Sequence, residues 1–366
     1  MRTRLLRRHR AEHGFEHVVS WFLHDALGRV ARRLGAPSSS VNLATSVAFD
    51  ALVSLFADRN AAAVVCMSGS GVRTMRRHRR HGATTVLVMN TPAASEEHRV
   101  VAEEERRLGL RQSRIARWAE RRIAARIDQE LAMADLVLAN SQFTADDLAR
   151  TGVPRAKIAV ASLGVDLERF APAGGARPRS EIARIVYVGS LAPRKGVITL
   201  AEAVRMLRTT RPCELHVYGS GEPRYMRLLE SFADDGSVTL HSYVPNAELP
   251  DVYRAADVVV LPTLSDGFGL VVYEAMASGA PVVVTDRCGA EVEHGRNGLV
   301  VPHSDPRALA DAIEQLLSDP GRARTLAAAG VETARHASWA RYRETVRASL
   351  LPLLDETVDA PGDPHP

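Results

Sequence analysis

Short apolar runs alternate with helix-length segments along the second half of the chain, from about residue 184 onward. The runs are rich in Val, Ile and Leu and have the length of buried strands. The predicted elements are, in order, strand Ile185–Val188, helix Gly196–Leu207, strand Leu215–Tyr218, helix Tyr225–Phe232, strand Val238–Leu240, helix Ala247–Arg254, strand Val258–Leu261, helix Leu270–Ser278 and strand Val282–Val284. This alternation with short connections predicts a parallel, doubly wound α/β sheet.

The first half shows the same pattern with longer segments between its strands. The predicted strands are Ala63–Met67, Thr85–Met89 and Leu136–Ala139. A segment rich in Pro and Gly, Ala171–Pro178, separates the two halves. The pattern predicts two Rossmann-like domains, over 1–176 and 181–335, that face each other across a cleft.

The end of the chain contains one more predicted helix, over 336–355. Trp339, Tyr342, Val346 and Leu350 recur near helical spacing, so we expect this helix to pack back on the first domain. Residues 356–366 are rich in Pro, Gly and Asp and are predicted to be disordered.

The amino-acid composition indicates the cellular compartment of the protein. The chain has 366 residues, a net charge of +4 and a sequence pI near 9.2. Its three cysteines are far apart and lack the spacing of a zinc site or a disulfide framework, which favours a reducing compartment. No apolar run approaches the roughly 18 residues that span a bilayer, and no signal peptide is evident. We therefore expect a cytoplasmic protein that binds no nucleic acid.

One loop contains the residues that most strongly indicate a ligand-binding site. It follows strand Val258–Leu261, contains Gly267 and Gly269, and has carboxylates at Asp266 and Glu274, eight residues apart. Glycines allow backbone amides to approach a phosphate, and ionised carboxylates accept hydrogen bonds from hydroxyl groups. A phosphorylated sugar would fit this site, although the same residues could also form a plain strand-to-helix turn with Glu274 in solvent.

Two further loops lie at predicted strand ends. Arg194 and Lys195 follow Gly189 and Ser190 at a helix start, where they would bind a diphosphate, or form a solvated basic turn. Gly219 begins a Gly-x-Gly after the next strand. This is not the full dinucleotide fingerprint, because Arg224 occupies the third glycine position.

Taken in order, these motifs resemble the nucleotide-sugar domain of retaining glycosyltransferases of family 4, which have the GT-B fold. The resemblance covers roughly residues 130 to 320. It rests on the following segments: Ala134–Ser141, Gly164–Phe170, Gly189 with Arg194-Lys195-Gly196, Gly219-Ser220-Gly221, Ala256-Asp257-Val258, Asp266–Leu270, Glu274–Ala277, Gly279, Pro281-Val282 and Asn297-Gly298-Leu299.

The resemblance implies a role for each motif residue. Asp266, Lys195 and Arg194 would be the catalytic residues, with the two cations neutralising the departing nucleoside diphosphate. Asp266 matches the first carboxylate of the family's Glu-x7-Glu motif but is one methylene shorter. The residues implied to bind the donor are Gly189, Ser190, Gly219, Gly267, Phe268, Gly269, Leu270 and Glu274, the last through the ribose.

The acceptor side departs from the family pattern. The usual opening strand with its glycine-rich loop is not visible before residue 60, where His13–Leu34 instead looks helical and rich in arginine. Many relatives have a histidine where this chain has Asn90, and the nearest histidine, His98, is expected on the surface of a helix. The acceptor-side candidates are Ser68, Gly69, Asn90 and His98.

Arg111–Ala134 is predicted to be an amphipathic helix, because Ile115, Ala119, Ile123, Ile127 and Leu131 recur every four residues. The favoured interpretation is a helix that packs on the core. The alternative is contact with an anionic membrane, which would suit a lipid-linked acceptor.

The leading hypothesis is a retaining glycosyltransferase that needs neither cofactor nor metal. It would use a UDP- or GDP-sugar donor and a carbohydrate or lipid-linked acceptor, in cell-surface polysaccharide or glycolipid synthesis at the inner face of the membrane. The alternative is a catalytically silent sugar-nucleotide-binding or assembly subunit. A dinucleotide-dependent oxidoreductase is disfavoured by the incomplete glycine fingerprint.

Overall fold

Ten parallel strands form the framework of the protein in a computed structural model that describes residues 37–92, 94–110, 112–173, 181–233, 236–241 and 244–358. The strands are β1 Ala63–Met67, β2 Thr84–Met89, β3 Leu136–Ala139, β4 Ile158–Val160, β5 Ala183–Val188, β6 Cys213–Tyr218, β7 Val238–His241, β8 Val258–Leu261, β9 Val282–Thr285 and β10 Leu299–Val301. They form two sheets, one in the order β1-β2-β3-β4 and one in the order β10-β9-β8-β5-β6-β7. The predicted α/β fold class is confirmed.

Helices cover the faces of both sheets. They are α1 Ser38–Phe56, α2 Val72–Arg79, α3 Ala94–Arg107, α4 Arg114–Met133, α5 Gln142–Arg150, α6 Val197–Leu207, α7 Pro223–Ala233, α8 Leu249–Arg254, α9 Leu270–Ala277, α10 Pro306–Ser318, α11 Pro320–His336 and α12 Trp339–Val358. Two short 3₁₀ turns lie at Arg155–Lys157 and Pro193–Lys195. Strands β8 and β9 in the six-stranded sheet are buried along their whole length. Val65 and Met67 of the edge strand β1 are exposed.

The six-stranded sheet reverses its strand order at β5. Ile185 of β5 pairs with Leu215 of β6 on one side and with Val258 of β8 on the other. At such a switch point the loops beyond neighbouring strands diverge and leave a crevice for a ligand. The loops that follow β5 and β8 are the two that carry the predicted Arg194-Lys195 and Asp266–Gly269 motifs.

Helix α12 lies on the four-stranded sheet. Its Tyr342, Val346, Leu350 and Leu353 pack against a buried cluster formed by Val86, Leu136, Leu138 and Ala161. The last helix therefore contacts the first domain after the chain has completed the second. Residues 356–358, which the sequence analysis assigned to a disordered tail, belong to this helix. The rest of that tail lies outside the described residues.

Two helices of the first domain differ in part from the expectations. Helix α1 has 19 residues and a mean hydropathy of 1.3, so by length and composition it could span a membrane, contrary to the expectation for this chain. This segment is 22% buried, and its buried residues include the charged Asp50. In α4, Ala119 and Ile127 are buried as predicted, but Ile115 is 60% exposed. The predicted helical segment His13–Leu34 lies outside the described residues.

Candidate active site

An ion pair joins the loops that follow β5 and β8. Lys195 Nζ donates to Asp266 Oδ2, and the two side chains are only 13% and 16% exposed. The backbones also meet, because Leu264 N donates to Arg194 O at 2.8 Å. Residues 71 positions apart in the chain thus form one charged group at the sheet's switch point.

Asp266 is held in its ionised form. Burial opposes ionisation, but the charge of Lys195, its hydrogen bond, the nearby Arg194 and the amide of Gly269 together hold the pKa of Asp266 below its ordinary value. The Gly269 N–H donates to Asp266 Oδ1 over 3.2 Å at the start of α9. The carboxylate therefore keeps free lone pairs for a hydroxyl group while it orients Lys195.

The loops after β5 and β6 interlock backbone against backbone. Gly189 N donates to Tyr218 O at 3.0 Å, and Leu191 N donates to Ser220 O at 2.9 Å. A Cβ at Gly219 would lie 1.9 Å from Gly189 O, so only glycine fits there. Ser190 is exposed at the edge of this loop. These residues shape one wall of the crevice beside Lys195.

Glu274 is half-buried on α9 and is held by a residue that the sequence analysis missed. Tyr253 of α8, which is fully buried, donates from its hydroxyl to Glu274 Oε2 at 2.7 Å. Burial raises the pKa of Glu274, while the Tyr253 bond and the charge of Arg169 oppose that rise without cancelling it. No sequence motif marked Tyr253, because α8 reads as an ordinary helix between strands.

The structure limits how two of the predicted donor residues could act. Phe268 is 3% exposed and stacks on Tyr273, with ring centroids 4.8 Å apart. Leu270 packs against the same core. Their side chains support the loop from beneath, so a ligand in the crevice would meet the backbone of this segment.

Gly267 is one of the points at which the two domains touch. Its carbonyl oxygen accepts hydrogen bonds from Ser141 Oγ and, at 3.2 Å, from Thr144 Oγ1. A Cβ on Gly267 would lie 2.1 Å from Asn90 O, so only glycine permits this approach. The carboxyl ends of β2 and β3 therefore face the Asp266 loop directly.

The acceptor-side candidates are not gathered at one place. Gly69 N donates to Glu130 Oε2 at 2.5 Å, and Gly69 O accepts from Arg126, so this loop is engaged within its own domain. Ser68 N pairs with Val88 O at 3.1 Å. Asn90 is exposed and reaches the domain boundary through its backbone.

Helix α3 brings two further side chains to the cleft, because it packs on the Pro193–Lys195 turn. His98 is half-buried, which differs from the expected surface position, and burial lowers its pKa despite the neighbouring Glu97. Glu97 Oε2 accepts from Ser265 Oγ over 3.4 Å. No motif in the sequence marks Glu97.

Within the described residues, His, Cys, Asp and Glu side chains form no group of three or more placed to hold a metal ion.

Comparison with known families divides the chain into two matched parts. Residues 3–169 match the model described as Glycosyltransferase Family 4, and residues 182–319 match the model described as Glycosyl transferases group 1. The first match includes the N-terminal region, where the sequence lacks a visible opening strand with its glycine-rich loop.

Curated relatives include the D-inositol 3-phosphate glycosyltransferases of Salinispora tropica and Nocardia farcinica. The first is 34% identical over 258 residues, which are 63% of this chain and 53% of the relative. The second is 35% identical over 247 residues, or 62% and 55% of the two chains. The chain thus spans about half the length of the curated relatives it matches.

Solved structures show the same architecture. Sucrose-phosphate synthase from Thermosynechococcus elongatus superposes with a TM-score of 0.68 and 25% identity, over 87% of this chain and 79% of that one. Anabaena HepE in complex with UDP gives a TM-score of 0.62 at 17% identity, over 84% and 82% of the two chains, and supports the fold alone. The family resemblance is confirmed: the chain belongs to the glycosyltransferases of family 4, described also as glycosyl transferases group 1, and has the GT-B fold.

Proposed function

We propose that this protein transfers a sugar from a nucleoside diphosphate sugar to a hydroxyl group of an acceptor. The observation that carries the proposal is the Lys195–Asp266 pair at the switch point, with Arg194 beside it. Two cations in the loop beyond β5 suit a diphosphate. Two carboxylates, one in the loop beyond β8 and one on α9, suit the hydroxyls of a sugar and a ribose.

The reaction breaks the bond between the anomeric carbon and the β-phosphate oxygen. The bonding electrons go to that oxygen, where Lys195 and Arg194 offset the developing negative charge. The acceptor oxygen forms the new bond to the anomeric carbon, and its proton leaves to the phosphate oxygen or to solvent. Asp266 would accept a hydrogen bond from the transferred sugar, and Glu274 would accept one from the ribose. Retention of configuration follows the family's pattern, and in this proposal the cations make a metal unnecessary.

The nucleoside diphosphate is proposed to be UDP, because HepE, which has the same fold, was solved with UDP. GDP-sugars are the alternative. For the acceptor, the curated relatives are named for D-inositol 3-phosphate. A carbohydrate or lipid-linked acceptor of a surface polysaccharide or glycolipid is the other class to test.

Helix α4 supports a position at the inner face of a membrane. Ile115 and Trp118 are 60% and 54% exposed, and the arginines Arg114, Arg117, Arg121 and Arg122 are exposed on the same helix. Exposed Trp and Ile among cations suit an anionic bilayer surface. Co-sedimentation with phosphatidylglycerol vesicles, but not with phosphatidylcholine vesicles, tests this, and Trp118→Ser should weaken it.

Release of UDP from a panel of UDP-sugars tests the function itself. The shift in melting temperature measures donor binding in the same samples, because a ligand that binds the native state raises the stability of the protein. We expect one UDP-sugar to bind and to be turned over, and Asp266→Ala to abolish turnover, while Asp311→Ala on the exposed face of α10 has no effect. Binding without turnover would instead identify a silent sugar-nucleotide-binding subunit, and a shift with NAD would favour an oxidoreductase.

A further inference from the structure

A carboxylate of the first domain faces the charged pair of the second. Glu97 lies in the first turns of α3, the helix that packs on the Pro193–Lys195 turn. Its Oε2 accepts a hydrogen bond of 3.4 Å from Ser265 Oγ, next to Asp266. Within the described part of the chain this long bond is the one hydrogen bond found for the Glu97 side chain. Its remaining lone pairs are available to a ligand in the cleft.

The charges around Glu97 are those of the candidate active site. Burial raises its pKa, Arg194 and His98 act in the opposite direction, and Asp266 adds to the rise. Glu97 and Asp266 therefore share the positive charge of Arg194 from opposite sides of the cleft. A carboxylate at this place accepts hydrogen bonds from hydroxyl groups and repels a phosphate.

A second feature of the first domain also disfavours an anionic acceptor. The loop after β1 presents the N–H groups of Gly69 and Gly71, an arrangement that binds anions in many proteins. Here the fully buried Glu130 accepts both, at 2.5 and 2.7 Å. Arg126 ties this loop to Asp50 through bonds of 3.1 and 2.8 Å. The anion position is already filled by a carboxylate of the protein.

We propose that Glu97 binds a hydroxyl group of the acceptor and that the enzyme selects an uncharged, hydroxyl-bearing acceptor end over a phosphorylated one. The inference rests on the proposed function and narrows its acceptor to neutral sugars and polyols, free or at the end of a larger molecule. It separates this chain from its curated relatives, whose names specify a phosphorylated acceptor.

The test uses the full chain with the UDP-sugar found by the donor panel. Acceptor probes are myo-inositol, methyl α-D-glucoside and methyl α-D-mannoside, each compared with its phosphate monoester. The variants are Glu97→Ala and Glu97→Gln. Glu103→Gln serves as the matched control, because Glu103 lies on the same helix, is half-exposed and pairs with Arg99 at the surface.

In the wild type we expect at least about tenfold higher kcat/KM for a neutral probe than for its phosphate, the equivalent of about 1.4 kcal/mol. Glu97→Ala should raise the acceptor KM about tenfold or more, because the acceptor hydroxyl loses its charge-assisted hydrogen bond to the Glu97 carboxylate. Glu97→Gln should raise the KM less and should relax the discrimination against phosphate. The change in acceptor KM should exceed any change in donor KM, because Glu97 is assigned to the acceptor.

A purely structural role for Glu97 would behave differently. If the Ser265 contact only held the domains closed, Ser265→Ala would reproduce the Glu97→Ala effect, and donor hydrolysis would change in both. We expect Ser265→Ala to keep the acceptor KM within about threefold, because the carboxylate remains.

Three results would each overturn the inference. They are preference for a phosphorylated probe, transfer to none of the neutral probes, and an unchanged acceptor KM in Glu97→Ala. These results differ from a failure of the proposed function, in which the wild type would neither bind nor hydrolyse any UDP- or GDP-sugar.

Discussion

The bond between Tyr253 and Glu274 offers a sharp test of the donor site. Tyr253→Phe removes a single oxygen and keeps the ring, which is fully buried and lies against Phe170 with centroids 6.0 Å apart. The packing of α8 should therefore survive. What the variant loses is the 2.7 Å hydrogen bond that holds the Glu274 carboxylate in place.

The size of the effect follows from the nature of that bond. A hydrogen bond to a charged group contributes roughly 1.5–3 kcal/mol. Glu274 is half-buried, so water replaces part of the lost bond and the lower end of that range applies. A loss of about 1.5 kcal/mol in donor binding corresponds to a Kd for UDP slightly more than tenfold weaker.

The same substitution should change the pH dependence of binding. Burial already places the pKa of Glu274 above its ordinary value, and the Tyr253 bond is one of the interactions that hold it down. Without this bond the pKa rises further. Because the ribose contact needs the ionised carboxylate, UDP affinity should begin to fall at a higher pH in Tyr253→Phe than in the wild type.

Isothermal titration with UDP across a pH series measures both effects. Glu274→Ala alone and combined with Tyr253→Phe completes a double-mutant cycle, in which Tyr253→Phe should have no further effect once Glu274 is absent. Tyr342→Phe on α12, which packs against the other domain, is the control. The reasoning would be refuted if Tyr253→Phe kept the Kd for UDP within twofold of the wild type. It would also be refuted if Tyr253→Phe weakened UDP binding equally in the Glu274→Ala background.

Three other perturbations have defined outcomes. Lys195→Ala should lower kcat/KM about 10²–10³-fold, as the loss of one preorganised charge does elsewhere, and Lys195→Arg should recover part of it; equal rates in steady-state assays would contradict the assigned role. The lowered pKa of Asp266 means that its stabilising contribution is present above the unfolded-state pKa and is lost as the pH falls through the folded-state pKa. Asp266→Asn should therefore flatten the dependence of the free energy of unfolding on pH between about pH 2 and 5, measured with urea, and an unchanged slope would show that the ion pair is not coupled to folding. Glu130→Ala leaves the buried amides of Gly69 and Gly71 without an acceptor, at about 1–3 kcal/mol each; calorimetry should show a lower Tm with UDP affinity retained, and an unchanged Tm would contradict it.

Much of the fold could be predicted because its determinants are local. Strands buried on both faces are largely apolar, so β5, β8 and β9 stand out as short runs rich in Val, Ile and Leu. The loop motifs around Lys195 and Asp266 were visible for a similar reason, since close backbone approach requires glycine at fixed places in the chain. Ile115 shows what local patterns miss. Helical spacing identified a line of apolar residues on α4, but it did not show that Ile115, at one end of that line, is exposed.

The residues that the sequence did not reveal act across long separations. Tyr253 meets Glu274 because α8 and α9 are adjacent, Glu97 meets Ser265 over 168 positions, and Glu130 meets the β1 loop over about 60. Tyr253, Glu97 and Glu130 lie outside every motif, since each is an ordinary residue of an ordinary helix.

The amino-acid sequence by itself determined the two parallel sheets, the glycine turns at their strand ends and the family to which the chain belongs, because hydrophobic period and backbone conformation are properties of neighbouring residues. The tertiary structure alone decided which charges meet. Lys195 and Asp266 come from loops 71 residues apart, and they pair because β5 and β8 are neighbours at the point where the strand order reverses. Electrostatic energy depends on distance and burial in space, and strand order sets both.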